Sequence, residues 1–112
     1  MSGADSTNAS NTPLHSEFAG DPEMAELIAF FSGELGQRIS AIQQSLDAQD
    51  LDALHRLAHQ LKGSSGGYGY PSIGQAAARL EAESKQAVAG EAADLQGAAA
   101  ELIDLCNRAR VA

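Results

Sequence analysis

A histidine, a lysine and a glycine lie within one short stretch near the middle of the chain, at His59, Lys62 and Gly63. A neutral imidazole is a nucleophile that can form covalent intermediates. An ammonium group beside it stabilises negative charge, such as that of a transferring phosphoryl group. A glycine removes a side chain that would block an incoming partner. These residue types predict a covalent carrier of an anionic group, with His59 as the acceptor.

Helical geometry places this group on one side of a helix. At about 100° per residue, several neighbours fall within roughly 60° of His59, namely His55, Arg56, Lys62, Gly63 and Gly66. The opposite side carries Leu54, Leu57, Ala58, Leu61 and Tyr68, flanked by Ser64 and Ser65. Burial of the apolar side would hold the imidazole of His59 outward, among the positive charges of Arg56 and Lys62.

The surrounding sequence resembles the signature of the histidine-containing phosphotransfer (HPt) domain. Residues 54–81 read LHRLAHQLKGSSGGYGYPSIGQAAARLE. The family pattern has Ala-His, any residue, Leu-Lys-Gly-Ser-Ser/Ala, then a glycine and a later Leu-Glu. The matching residues are Ala58-His59, Leu61-Lys62-Gly63-Ser64-Ser65, Gly69 and Leu80-Glu81. The segment DPEMAELIAFFSGEL also resembles the first helix of the family, so the resemblance covers roughly residues 13–110.

The resemblance implies a role for each matching residue. It makes His59 the phosphoryl carrier, Lys62 the residue that stabilises charge and Gly63 the residue that gives access. Glu81 lies where members of the family carry a side chain that steadies the ring. The resemblance implies no cofactor in this chain, and Mg²⁺ only on a receiver-domain partner. The turn at residues 66–71 departs from the family pattern, because it contains two tyrosines and a proline.

Other interpretations of the same residues are open. His59 could be an ordinary surface histidine. His55 and His59 have the four-residue spacing of metal-binding histidines. However, no carboxylate or cysteine of suitable spacing accompanies them, and Arg56 and Lys62 would repel a cation. The stretch GSSGGYG follows no strand and lacks the Lys-Ser/Thr ending of a phosphate-binding loop, which argues against a nucleotide site.

Four amphipathic segments must position this group of residues. Apolar residues recur at spacings of three and four in each segment, and no segment alternates with period two. The signals that begin or separate the segments are Asp21-Pro22, Asp50, Pro71 and Gly90. Short connections make successive helices antiparallel neighbours. We predict an all-α protein: an antiparallel up-down-up-down four-helix bundle over residues 13–112, after a disordered tail of small polar residues at 1–12.

Composition narrows the classes of partner. The chain has 112 residues and a formal net charge of −8, so nucleic acid and anionic membranes, which attract clustered cations, are not expected partners. The single cysteine, Cys106, excludes an intramolecular disulfide and falls on the apolar stripe of the fourth segment. No apolar run has the length of a signal peptide or a membrane span, and we expect a cytoplasmic protein. Phe30 and Phe31 are expected to pack, unless one stays exposed for docking.

The residues and the resemblance together predict a stoichiometric phosphoryl carrier of a two-component phosphorelay, not an enzyme. His59 would accept the group from a receiver-domain aspartate or a hybrid kinase and pass it to another receiver aspartate. We expect a monomer without ATP-binding machinery. A second hypothesis is a docking module that binds a receiver domain or histidine kinase without carrying phosphate. A third is the dimerising histidine domain of a sensor kinase, which requires a two-helix hairpin and an ATP-binding partner.

Overall fold

A computed structural model describes residues 12–110 of the chain. Within that range the helices are α1 (Ala25–Asp47), α2 (Leu51–Ser65), α3 (Pro71–Val88) and α4 (Leu95–Arg110), and there is no strand. α1 packs against α2 and α4, and α3 packs against the same two helices, which closes the bundle. The predicted all-α four-helix architecture is confirmed. The predicted tail lies outside the described residues, apart from Thr12.

Three of the helical segments begin where the sequence predicts. The carboxylate of Asp21 accepts a backbone N–H at 2.9 Å and begins a 3₁₀ turn, Pro22–Met24, that leads into α1. The carboxylate of Asp50 accepts a backbone N–H at 3.1 Å at the start of α2. Pro71 is the first residue of α3, where its missing N–H leaves no helical hydrogen bond unmade.

The core is built from apolar residues of all four helices. On α2, Leu54, Ala58 and Leu61 are fully buried, as the helical spacing predicts. Complete burial of a leucine contributes about 1.5–3 kcal/mol, so this side of α2 is firmly fixed toward the bundle. On α4, Cys106 is buried, as predicted, and burial raises its pKa to about 12. None of the helices within residues 12–110 is both long and apolar enough to cross a bilayer.

The C-terminal end of α2 differs from the prediction. Ser65, which was expected to flank the apolar side, is fully buried. Its hydroxyl donates a hydrogen bond to the carbonyl of Leu61, and this bond makes burial of the polar group tolerable. Tyr68 lies beyond the helix, in the 3₁₀ turn Gly66–Tyr68, so it does not continue the helical side that the wheel assigns to it.

Three aromatic rings account for the unusual turn between α2 and α3. Phe31 of α1 is only 2% exposed. Its ring stacks on Tyr68, with centroids 4.7 Å apart, and on Tyr70, with centroids 5.4 Å apart. Gly69, between the two tyrosines, has a φ of +85°, in the left-handed region that glycine adopts without strain. The departure from the family pattern therefore builds a local aromatic core.

The segment before α1 packs on the same turn. The N–H of Glu17 donates to the carbonyl of Gly69 at 2.8 Å. The hydroxyl of Ser16 donates to the carbonyl of Tyr68 at 2.6 Å. Leu14 packs against the core, and its N–H donates to a carbonyl of α4 at 3.0 Å. These contacts join the N-terminal segment to the end of the bundle and stabilise the turn that follows α2.

Candidate functional site

The ring of His59 is presented to solvent by the packing of α2. Its side chain is 66% exposed, whereas Leu54, Ala58 and Leu61 are fully buried on the other side of the helix. Rotation of α2 about its axis would expose these apolar side chains, so their burial sets the direction of the imidazole. The outward orientation expected from helical spacing is the one observed.

Glu81 of α3 connects His59 to Lys62. Its Oε2 lies 2.7 Å from Nδ1 of His59, and its Oε1 lies 3.0 Å from Nζ of Lys62. The Glu81 side chain is only 13% exposed, although both of its partners face solvent. The preceding residue, Leu80, is fully buried, and this anchors the turn of α3 that carries the carboxylate. The site is therefore assembled across the α2–α3 interface.

The charge state of Glu81 decides which nitrogen of His59 carries the hydrogen. Hydrogen bonds from Lys62, the larger cause, and from His59 lower the pKa of Glu81 below its ordinary value. The carboxylate is therefore ionised at neutral pH and can only accept hydrogen bonds. Nδ1 of His59 must carry the hydrogen in that bond, so in the neutral ring Nε2 keeps its lone pair. This arrangement leaves Nε2 as the ring nitrogen that is free to form a new bond.

Bare backbone lies next to the ring along α2. A Cβ atom added at Gly63, one turn after His59, would meet nothing within 4 Å. The same holds for Gly66 and Gly67, and all three glycines are exposed. Another protein can thus approach this surface without meeting side chains at these positions.

Of the two predicted cations, Lys62 is hydrogen-bonded within the site and Arg56 is not. Lys62 is linked to His59 through Glu81 and does not bond to the ring directly. Arg56 lies on the exposed surface and makes no hydrogen bond or ion pair with any residue between 12 and 110. The ammonium of Lys62 can still form further hydrogen bonds, because it has three N–H groups and Glu81 occupies one of them.

His55 lies one turn before His59, and its ring is nearly parallel to that of His59. The ring centroids are 6.5 Å apart, with an interplanar angle of 8°. Nε2 of His55 is 3.7 Å from Oε2 of Glu81, which is longer than a hydrogen bond. Within the described part of the chain, no group of three or more His, Cys, Asp or Glu side chains could hold a metal ion.

The neighbouring face of α1 carries exposed apolar side chains. Phe30 is 59% exposed and Leu27, one turn before it, is 48% exposed, whereas Phe31 is buried. Glu34 and Ala41, on the same stripe of α1 as Phe30, line a shallow groove with Leu57 of α2. The exposed apolar pair therefore lies on the stripe of α1 that borders α2. Of the two phenylalanines, Phe31 packs and Phe30 stays exposed.

Sequence reasoning missed the proximity of His55 to the carboxylate. Helical spacing placed His55 on the same side of α2 as His59 and raised it as a metal ligand, but a partner on α3 cannot be located from spacing along α2. The available signal was the four-residue separation from His59, which places both rings on one side of the helix. Any group bonded to His59 from a neighbouring helix would then lie near His55 as well.

Comparison with known proteins agrees with this geometry. The Hpt domain family matches residues 26–112, a range that contains nearly all of α1 and the whole of α2, α3 and α4. Comparisons with curated proteins and with solved structures each gave no match. The family match covers most of the chain, including every residue of the site described above. The chain therefore belongs to the Hpt domain family, and this membership implies a histidine phosphotransfer role in a phosphorelay.

Proposed function

We propose that this protein carries a phosphoryl group on Nε2 of His59. It receives the group from the phosphorylated aspartate of a receiver domain or from a hybrid histidine kinase, and passes it to another receiver aspartate. The observation that carries the proposal is the hydrogen bond between Nδ1 of His59 and Glu81, because it leaves the lone pair on the other nitrogen of an exposed ring. The protein acts as a stoichiometric carrier, as a monomer and in the cytoplasm.

The transfer step follows from this arrangement. The lone pair of Nε2 attacks the phosphorus of the aspartyl phosphate, so that the N–P bond forms and the O–P bond breaks. The electron pair of the O–P bond leaves with the aspartate oxygen. The ring of His59 gains a positive charge, its Nδ1 hydrogen stays in place, and the ionised Glu81 offsets that charge. Attack by an oxygen of the next receiver aspartate reverses the step and returns the electron pair to Nε2.

Two cations assist this step in the proposal. Lys62 offers its remaining N–H groups to the phosphoryl oxygens while its charge stays beside Glu81. Arg56 adds a second positive charge on the same side of α2, which favours the approach of an anionic group.

The surface around the ring suits a receiver domain as the partner. Gly63, Gly66 and Gly67 let a partner pocket close on His59, because no side chain fills the space above them. Phe30 and Leu27 supply apolar contact area beside that opening. Large exposed aromatic side chains are typical of residues that anchor protein interfaces. We infer that the receiver docks over α2 and the adjoining stripe of α1.

The decisive experiment is uptake of radiolabelled phosphate from a phosphorylated receiver domain. We expect acid-labile, alkali-stable label on the wild-type protein and none on His59→Gln. His15→Gln, which changes an exposed histidine before α1, serves as the matched control and should label normally. Label on His59→Gln would show that the carrier is another residue.

The docking module without phosphate transfer is the second candidate function. The exposed Phe30 and Leu27 favour it as much as they favour the carrier. It predicts a complex with a receiver domain or kinase whose affinity is unchanged in His59→Ala, and no label on the wild type. The dimerising kinase domain has less support, because the four helices of a single chain already close the bundle.

A further inference from the structure

One nitrogen beside the reactive histidine is left without a hydrogen bond. Nε2 of His55 is buried, and no residue between 12 and 110 provides it with a hydrogen-bond partner. Buried polar atoms are rarely left unpaired, because removing them from water has no compensation. Oε2 of Glu81, the oxygen that bonds to His59, is 3.7 Å from this nitrogen.

The charged groups around His55 identify the acceptor. On α2 its neighbours along the helix are Asp52 and His59, and on α3 they are Glu81 and Lys85. Lys85 and Asp52 line a shallow groove with His55, but Lys85 can only donate and Asp52 is exposed. The carboxylate of Glu81 is the shielded acceptor that the buried nitrogen approaches.

Glu81 has the capacity for a third donor. An ionised carboxylate offers about four acceptor positions on its two oxygens. Lys62 uses one position on Oε1 and His59 uses one on Oε2. A shift of about 0.7 Å would bring the 3.7 Å separation from His55 to hydrogen-bond length. A small rotation of either side chain supplies a shift of that size.

We propose that His55 is a positioning residue for phosphoryl transfer, donating its Nε2 hydrogen to Oε2 of Glu81 and holding that carboxylate against Nδ1 of His59. The nearly parallel rings fit this role, because each presents a nitrogen to the same oxygen. With donors from His55, His59 and Lys62, the carboxylate cannot turn away, and the ring of His59 keeps its hydrogen on Nδ1. The inference rests on the proposed function of His59, although the hydrogen positions can be measured without it.

The first test uses the wild-type protein with nitrogen-labelled histidine. The nitrogen chemical shifts of each imidazole report which nitrogen carries the hydrogen. We expect the hydrogen of His55 on Nε2 and that of His59 on Nδ1. A neutral His55 with a bare Nε2 would overturn the proposal, and this measurement needs no substitution and no partner protein.

The second test compares His55→Leu, which removes the donor, with His55→Gln, which keeps an N–H donor. Loss of one hydrogen bond in His55→Leu should slow phosphoryl uptake by His59 roughly three- to tenfold. It should also leave the hydrogen of the His59 ring distributed between Nδ1 and Nε2. His55→Gln should stay within about twofold of the wild type, and so should the control His15→Leu.

Wild-type rates and an unchanged His59 hydrogen position in folded His55→Leu would refute the positioning role. Receiver affinity should be the same in all of these variants, because His55 acts through Glu81 and not through the partner. If the wild-type protein took up no label, the proposed function would fail, while the hydrogen positions of His55 and His59 would still decide whether this inference holds.

Discussion

His59 on α2 and Glu81 on α3 are joined by a 2.7 Å hydrogen bond between Nδ1 and Oε2. The two residues lie 22 positions apart in the chain, so the bond exists only when the helices are packed. Burial of Leu61 and Leu80 fixes the two helices at this level of the bundle. The position of the hydrogen on the ring is therefore set by the α2–α3 interface rather than by the histidine alone.

Substitution of Glu81 should separate its charge from its ability to accept a hydrogen bond. Glu81→Gln keeps an oxygen acceptor but loses the charge, and should slow phosphoryl uptake about threefold. Glu81→Ala loses both and should slow it about tenfold or more. Initial rates of label transfer from a phosphorylated receiver provide the measurement. Glu91→Ala, which removes an exposed carboxylate from the loop before α4, should transfer at the wild-type rate. An unimpaired Glu81→Ala would exclude this role.

The free energy of unfolding should depend on pH through the carboxylate of Glu81. The hydrogen bond from Lys62, and then that from His59, lowers the pKa of Glu81 in the folded state. The stabilisation is therefore complete above the unfolded pKa, near 4.3, and is lost as the pH falls through the lower folded value. Urea unfolding from about pH 5 to about pH 2.5 should show the stability advantage of the wild type over Glu81→Gln shrinking as the pH falls. A difference that stayed constant over this range would contradict the lowered pKa.

Replacement of Gly63 should impair transfer without impairing folding. Neither Gly63 on α2 nor Gly33 on α1 has any atom within 4 Å of an added Cβ. Alanine at either position should raise the free energy of unfolding by about 0.5–1 kcal/mol, because glycine is a poor helix former. Leucine should be accommodated at both positions, but Gly63→Leu should slow transfer about tenfold, equivalent to ~1.4 kcal/mol, by obstructing the receiver. Paired measurements of urea unfolding and label transfer separate the two effects. A wild-type transfer rate in folded Gly63→Leu would argue against docking over this surface.

The bundle and the orientation of the histidine could be predicted from the sequence because both depend on local signals. Capping residues such as Asp50 mark a helix start, and the spacing of Leu54, Ala58 and Leu61 gives the buried side. These signals operate within one helix and need no knowledge of its neighbours. The outward direction of His59 follows from them.

The contacts between helices could not be predicted in the same way. The two hydrogen bonds that Glu81 accepts from His59 and Lys62 depend on the register of α3 against α2, which residue spacing does not specify. Only the resemblance to a family indicated Glu81. The burial of Ser65 was not predicted because serine is a polar residue. In the structure its hydroxyl donates a hydrogen bond to the carbonyl of Leu61, and this bond allows the side chain to lie inside the core. The stacking on Phe31 was missed because it joins a turn to a distant helix.

Gly69 should be sensitive to substitution by alanine. Its φ of +85° strains any residue with a Cβ, and that atom would lie 2.9 Å from both the nitrogen of Glu17 and the ring of Phe18. We expect Gly69→Ala to lower the free energy of unfolding by about 1–3 kcal/mol. Gly67→Ala is the matched control, because an added Cβ there meets nothing within 4 Å. Thermal unfolding of the two variants checks this, and equal melting temperatures would show that the N-terminal segment does not pack on the turn as described.

Phe31 should contribute mainly to the stability of the fold, and Phe30 mainly to binding of the receiver domain. Phe31 is 2% exposed and stacks on Tyr68 and Tyr70, so Phe31→Ala should cost about 3–5 kcal/mol of unfolding free energy. Phe30 is 59% exposed, and Phe30→Ala should change stability by no more than about 0.5 kcal/mol.

Affinity for a receiver domain should be reduced more by Phe30→Ala than by Phe31→Ala. Phe30→Ala should weaken the complex with a receiver domain about fivefold or more, because it removes the large exposed side chain proposed as an anchor. Phe31→Ala, measured where it remains folded, should bind within about twofold of the wild type, since its ring faces the core. Calorimetric titration with an unphosphorylated receiver domain measures both affinities. Alanine cannot make the contact that the aromatic ring would make in the complex. If Phe30→Ala bound as tightly as the wild type, the receiver would therefore have to dock away from this stripe of α1.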